Sequence, residues 1–334
     1  MTRLALVGCG GHANSHAQTF SKIPEAEIVA LVDIDVARAE AFKAKYFQNA
    51  AVYDDFAKLL AAPPAGLDGV VIVTPHTTHY AQAKAALEAG LHVLVEKPMV
   101  TRSDHAYDLW RTSLAAGKHL AIAYQAPYSA EYQYLKALRD DGRLGKVQII
   151  QGWLAQGWLK FTPNTWRQDP ARSGGGQMYD SGAHVLNAMM WLMNEPVTEV
   201  SCLYDTCGSP VDINGVAIMR FRGGALGSVA IGGNSPGWHA RVVLQTDRLQ
   251  AVTGPHGGEL TFSSAPDLRY PHVPTSDRPA AFTPQRNFVD TLRGEAEPQS
   301  PARYGVLLSA LMDALYESAA KGAPVQVRPV PDAL

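Results

Sequence analysis

Gly8-Cys9-Gly10-Gly11-His12-Ala13 follows a short apolar run, Arg3 to Val7, and opens a helix-favouring stretch that reaches about Lys22. Strand, glycine turn and helix in that order make G-x-G-x-x-A, a variant of the dinucleotide-binding fingerprint. Gly8 permits the tight turn, and Gly10 lets the backbone approach a pyrophosphate. Ala13 lets the helix lie close to the strand. Gly11 and His12 complete the loop, and the helix N-terminus turns its N–H groups and positive dipole end toward the phosphates. A second strand, Glu27 to Val32, ends in Asp33. It lies about twenty residues past the turn, where a carboxylate grips the adenosine ribose hydroxyls. Asp33 could instead cap the next helix, but Asp35 can fill that role. A carboxylate repels a 2′-phosphate, so the expected cofactor is NAD, with NADP less suited.

Strand and helix then alternate. A helix over Val36 to Tyr46 precedes a short strand near Val52, and Asp54 or Asp55 caps a helix to about Ala61. Gly69 to Val73 reads as a buried strand ending in Thr74-Pro75-His76-Thr77-Thr78-His79. A helix follows, to Ala89, with Gly90 as its stop. After the strand Leu91 to Val95 come a helix over Ser103 to Ala116 and a sixth strand, Leu120 to Ala123. This alternation predicts a parallel, doubly wound sheet over residues 1–123.

Past Tyr124 the texture changes. Ala130 to Asp140 is one amphipathic helix. Strand-like stretches then follow without intervening helices: Val147 to Leu159, Val197 to Thr206, Asp212 to Phe221, Leu226 to Gly232, Ala240 to Thr246 and Leu249 to Val252. They predict an α+β domain over residues 124–334 with a large, mostly antiparallel open sheet. One helix, Asp180 to Met193, interrupts; its Met189-Met190-Trp191 reads as core. Ser264 to Pro284 is proline-rich and reads as a surface loop. Helices over Gln285 to Leu292 and Tyr304 to Ala320 close the chain before a short strand, Val325 to Val327. These last helices are free to pack back onto the first domain.

The composition narrows the functional classes. Apolar residues make up 46% of 334, enough for two cores, and the net charge of −2 carries no footprint for nucleic acid or an anionic membrane. No apolar run approaches the length of a membrane span, and Leu4 to Val7 is too short for a signal peptide. Three cysteines, Cys9, Cys202 and Cys207, argue against a disulfide framework. Cys9 reads as a packing residue within the turn. These features predict a cytoplasmic protein with a small-molecule ligand.

The strand Leu91-His92-Val93-Leu94-Val95 ends in Glu96-Lys97-Pro98. Proline stops the strand, and the residue before it is pushed into an extended conformation that aims Lys97 outward. Ligands of open α/β sheets bind beyond the carboxyl ends of the strands, so Lys97 is a candidate for chemistry rather than a surface charge. His76 and His79 have H-x-x-H spacing, but no further ligand accompanies them and no metal is expected.

The combination resembles the glucose–fructose oxidoreductase, inositol dehydrogenase and rhizopine-catabolism (GFO/IDH/MocA) oxidoreductase family. The glycine turn, Asp33, Thr74-Pro75, His79, Glu96-Lys97-Pro98, Trp166-Arg167, Gly174-Gly175-Gly176, Asp180 and His184 carry the likeness, as does Tyr316-Glu317-Ser318 before a Gly-Ala-Pro turn. The resemblance implies a Rossmann domain followed by a domain whose open sheet mediates oligomerisation, as a homodimer or homotetramer. It also implies hydride transfer between bound nicotinamide and a sugar or polyol. Where many relatives carry bulky or basic residues after Tyr124-Gln125, this chain has Ala126-Pro127.

Oxidising an alcohol needs a hydride acceptor, a base, and a donor that stabilises negative charge on oxygen. Lys97 suits the donor. Asp180 and His184 are four apart and share a helix face, so His184 can take the proton while Asp180 orients it or holds substrate. Gly174 to Gly176 are expected to let the chain approach the cofactor. Thr74, Pro75, His79, Glu96 and Lys97 are expected beside the cofactor, and Tyr124, Trp166, Arg167, Asp180 and His184 beside the substrate. Two other activities share these residues: a redox-neutral glycosidase or lyase working through transient oxidation by NAD, and a nucleotide-binding sensor, which would be expected to lack the lysine or the histidine.

Overall fold

The computed structural model of the chain describes residues 1–264 and 273–332. Two compact units divide it. The first is Met1–Val100, Asp104–Ala123 and Thr283–Arg303; the second is Thr101–Ser103, Tyr124–Phe282 and Tyr304–Leu334. The first unit thus holds residues 1–100 and 104–123, and the segment 283–303, whose helix the sequence leaves free to pack back, belongs with it.

In the first unit β1 (Thr2–Val7), β2 (Ala26–Val32), β3 (Ala51–Tyr53), β4 (Gly69–Ile72), β5 (His92–Val95) and β6 (Leu120–Ile122) form one sheet in the order β3-β2-β1-β4-β5-β6. Every pairing is parallel. The order reverses between β1 and β4, which opens the crevice where such sheets bind ligands. Leu4, Leu6, Val71 and Leu94 are fully buried, as strands covered on both faces must be. Asp35 caps the helix Val36–Tyr46 by accepting from the Arg38 N–H, and Asp55 caps Phe56–Ala61. The helix Pro284–Leu292 adds Phe288 and Val289 to the same core.

The second unit is built on β7 (Val147–Ala155), β8 (Val197–Asp205), β9 (Asn214–Phe221), β10 (Leu226–Gly232), β11 (His239–Thr246), β12 (Leu249–Thr253), β13 (Leu260–Ser264) and β14 (Val325–Gln326). Their order is β13-β12-β11-β7-β10-β9-β8-β14, and only β7 with β10 is parallel. The helix Gly182–Met193 lies on one face. Gly152 of β7 lets it close in, because a β-carbon there would meet Val185 and Met189. Along β9 the burial alternates: Ala217, Met219 and Phe221 are buried, while Val216 and Ile218 are 57% and 62% exposed.

Three local readings differ from the sequence expectation. The stretch 147–159 is not one strand: β7 ends at Ala155, and Trp158–Phe161 is a short helix after Gly157. Its aromatic residues favour a strand locally, but the Leu159 N–H bonds to the Gly233 carbonyl instead of continuing a ladder. The expected helix over Asp180 to Met193 is two pieces, Gln177–Asp180 and Gly182–Met193. The start of the expected loop at Ser264 belongs to β13, and residues 265–272 of that loop lie outside the described residues. Among the described residues no helix is long and apolar enough to cross a membrane.

Candidate active site

The glycine turn is shaped by its neighbours on one side and open on the other. Gly8 has φ +94°, and a β-carbon there would lie 2.7 Å from the Val73 carbonyl oxygen. At Gly10 and Gly11 a β-carbon would meet nothing within 4 Å. The space beside these two glycines among the described residues fits the pyrophosphate of a dinucleotide. Ala13 is fully buried, as close helix–strand packing requires. One oxygen of Asp33 accepts the Cys9 N–H at 2.8 Å; the other accepts the Asp35 N–H at 2.9 Å and faces Arg38 at 3.5 Å. The carboxylate is thus fixed at the lip of the turn. Burial, with the Asp33 charge beside it, pushes the Cys9 thiol up to about 12, so Cys9 packs and does not react.

Glu96 is buried at the end of β5. Its Oε1 accepts from His12 Nε2 at 3.1 Å and from His16 Nε2 at 2.7 Å, and its Oε2 accepts the Lys97 N–H at 3.1 Å. The Gln285 amide donates to His16 Nδ1 at 3.0 Å, which places the ring proton on Nε2. Burial opposes ionisation of Glu96, but the hydrogen bonds from the two histidines outweigh it and hold the carboxyl well below its usual range. His16 was missed in the sequence; its spacing of four from His12 was the available signal. His12, His16 and Glu96 are also, among the described residues, a group of metal-ligand types with one atom each within 4.8 Å of the others. Each of those atoms is already hydrogen-bonded within the group, so the hydrogen bonds account for the cluster.

His79 is fully buried, with Nδ1 2.9 Å from the Pro98 carbonyl oxygen and Nε2 2.8 Å from that of Thr74. Burial lowers its pKa more than the two carbonyls raise it. Both nitrogens face carbonyl oxygens, which removes His79 as a zinc ligand of the H-x-x-H pair. It joins Thr74-Pro75 to the Glu96-Lys97-Pro98 turn instead. The Lys97–Pro98 peptide is cis, and Lys97 itself is half-buried.

In the second unit Asp180 ends the helix Gln177–Asp180 and is buried. Its Oδ2 accepts from Trp158 Nε1 at 2.8 Å and from Arg167 Nε at 3.1 Å, and the Arg167 guanidinium lies 4.7 Å over the Trp166 ring. The turn ahead of it is pinned by Asp212, whose carboxylate accepts from the Gly176 N–H at 2.7 Å, the Met178 N–H at 2.8 Å and the Tyr316 hydroxyl at 2.5 Å. A β-carbon on Gly176 would run into the Asp212 carbonyl oxygen, and one on Gly174 into Thr101. The chain's own packing therefore requires these glycines. His184 is half-buried, its ring edge-on to Tyr124 at 6.3 Å and to His256 at 4.5 Å between centroids. Trp158, Asp212 and His256 had no sequence signal that set them apart. Lys97 lies in the first unit; Tyr124, Trp166, Arg167, Asp180 and His184 lie in the second.

A 3-2-1-4-5-6 parallel sheet with an open glycine turn defines a dinucleotide-binding domain, here followed by a domain with an eight-stranded open sheet. The model of an oxidoreductase family with an NAD-binding Rossmann fold matches residues 2–124, and that of the GFO/IDH/MocA C-terminal domain matches residues 132–252. The chain belongs to the GFO/IDH/MocA family, and its first domain is an NAD-binding Rossmann fold. D-glucoside 3-dehydrogenase of Escherichia coli K12 is 32% identical over 204 residues, covering 59% of this chain and 55% of that protein. Inositol 2-dehydrogenase of Rhodococcus erythropolis is 29% identical over 213 residues, covering 62% and 57%. The match spans little more than half the length of either relative. The WlbA dehydrogenase of Bordetella pertussis, solved with NADH and UDP-GlcNAcA, shares the fold at TM-score 0.83 and 24% identity over 98% of each chain.

Proposed function

We propose that this protein is an NAD-dependent dehydrogenase or reductase that moves a hydride between the nicotinamide and a hydroxyl-bearing carbon of a sugar, polyol or sugar derivative. Bound NAD supplies the acceptor for the hydride, which leaves carbon with the C–H electron pair. Lys97 donates a hydrogen bond to the reacting oxygen and stabilises its developing charge. His184 receives the hydroxyl proton on its imidazole. Asp180, held by Trp158 and Arg167, presents a fixed carboxylate to a substrate hydroxyl. Gly8, Gly10, Gly11, His12 and Ala13 cradle the pyrophosphate, and Asp33 holds the ribose. Glu96 and His79 fix the Lys97 turn and Thr74-Pro75 against the cofactor. Tyr124, Trp166 and Arg167 contact the substrate.

The observation that carries the reading is the buried, doubly anchored Asp180 four residues before His184 in a chain with an open dinucleotide turn. The dehydrogenase names of the curated relatives support the substrate class. The test is a screen of sugars and polyols by NADH absorbance, with Lys97→Met and His184→Ala as controls. A turnover lost in both variants is expected; no turnover on any alcohol, or equal turnover in all three proteins, contradicts it.

The protein acts as a homo-oligomer through its second domain. Leu203, Val216, Ala230 and Trp153 lie side by side across β8, β9, β10 and β7 on the uncovered face. Leu203 is 71% exposed. An apolar row of this kind needs a partner, and a second copy supplies a matching one. Its sparse, unpaired cysteines suit a reducing, cytoplasmic compartment.

A further inference from the structure

His256 stands in the turn between β12 and β13, and nothing in the local sequence marks it as functional. The turn is nonetheless built with unusual care. Gly257 and Gly258 have φ +87° and +110°, conformations that favour glycine. A β-carbon on Gly257 would collide with the Glu131 carboxylate and with Ser129. Glu131 is paired with Arg278 at 2.5 Å, and these side chains are only 8% and 9% exposed. Arg278 also donates to the Gly258 carbonyl at 2.9 Å and to the Val273 carbonyl. A buried ion pair is weak evidence for stability, because desolvation offsets its attraction; its better-attested use is to specify one arrangement. Here it clamps the glycine turn, and the turn delivers the His256 ring to His184.

The contact is close. The ring centroids are 4.5 Å apart and the planes cross at 73°, an edge-to-face arrangement. Tyr124 approaches the same His184 ring at 89° and 6.3 Å. An imidazole held by two crossed rings cannot swing freely about its ring torsion. A base so held keeps its nitrogen on one line to the proton it accepts, and misalignment of about 1 Å can cost two orders of magnitude in rate. The geometry points to His256 as a positioning residue for His184: its ring orients the imidazole, with Glu131 and Arg278 fixing the turn that carries it. This rests on the proposed role of His184 as proton acceptor.

The test uses the full chain with NAD and the best alcohol from the screen. His256→Ala should lower kcat about 10-fold while the KM for alcohol and the Kd for NAD stay within about twofold, because the contact aligns a base and binds neither ligand. His256→Phe, which restores a flat ring, should recover most of that loss. In a His184→Ala background, His256→Ala should add nothing further. Wild-type kcat in His256→Ala beside an inactive His184→Ala overturns the positioning role alone. Equal defects in His256→Phe and His256→Ala, or a full further loss in the double variant, also overturn it. Wild-type turnover in His184→Ala overturns the base assignment, and the consequence of the ring contact with it.

Discussion

His16 Nε2 lies 2.7 Å from Glu96 Oε1, eighty residues further along the chain, and both side chains are buried. The pair ties the first helix after the glycine turn to the end of β5, where Lys97 begins its turn. Its carboxyl is held below the unfolded value of about 4.5, so its contribution to stability is complete above that value and is lost as pH falls through the folded one. Glu96→Gln should therefore lose about 2 kcal/mol at pH 7. The wild-type urea midpoint should fall more steeply than the variant's between pH 5 and pH 3. Equal slopes would mean that the pair is not coupled to folding.

Asp33 should select the cofactor. Its carboxylate is fixed at the lip of the glycine turn by the Cys9 and Asp35 N–H groups. Calorimetric titration should give tighter binding of NAD than of NADP, and Asp33→Ala should weaken NAD and narrow the gap. NADP binding as tight as NAD in the wild type would remove Asp33 from this role.

Lys97→Met should leave NAD binding nearly intact and lower turnover about 10²-fold or more, as loss of one preorganised donor does. Stopped assays over a range of alcohol concentrations separate this from a KM effect. Turnover close to wild type assigns the donor elsewhere.

For His184, kcat/KM for alcohol oxidation should rise with pH through one ionisation of a base whose ordinary pKa is about 6.5. His184→Ala should remove the rise and most of the rate, and His184→Asn should keep some substrate binding without the pH dependence. A rise that persists in both variants makes another group the base.

On the open sheet, Val216 and Ile218 are opposed on β10 by Ala230 and Ser228. Val216→Glu with Ile218→Lys should convert an oligomer into monomers by light scattering at micromolar concentration, because charged side chains disfavour burial of that face. A wild-type monomer would contradict the assignment of this face.

The turn before Asp180 makes a separate stability test. Gly176→Ala drives a β-carbon into the Asp212 carbonyl oxygen and should destabilise the second domain by about 2 kcal/mol or more, read from a denaturant midpoint. Tyr316→Phe keeps the ring and loses only the hydroxyl donated to Asp212, so its effect should be smaller, about 1 kcal/mol. An undiminished midpoint for Gly176→Ala would show that the turn can relax.

The parallel first sheet was legible in the residues alone, because apolar runs, helix stops such as Gly90 and the Gly8 turn are local signals. Strict alternation of strand side chains also puts Val216 and Ala217 on opposite faces, but the packing of the sheet is what buries Ala217 and exposes Val216. The local signal failed at Trp158, whose aromatic neighbours favour a strand while the long-range bond from Leu159 to Gly233 makes a helix. Which residues hold the chemical groups in place follows from long-range packing. Glu96 meets His16, which meets Gln285 across 269 residues of chain. Asp212 reaches back to Gly176, Trp158 forward to Asp180, and His256 to His184. Such contacts carry no local period, because they depend on which strands pair and where each turn delivers its tip.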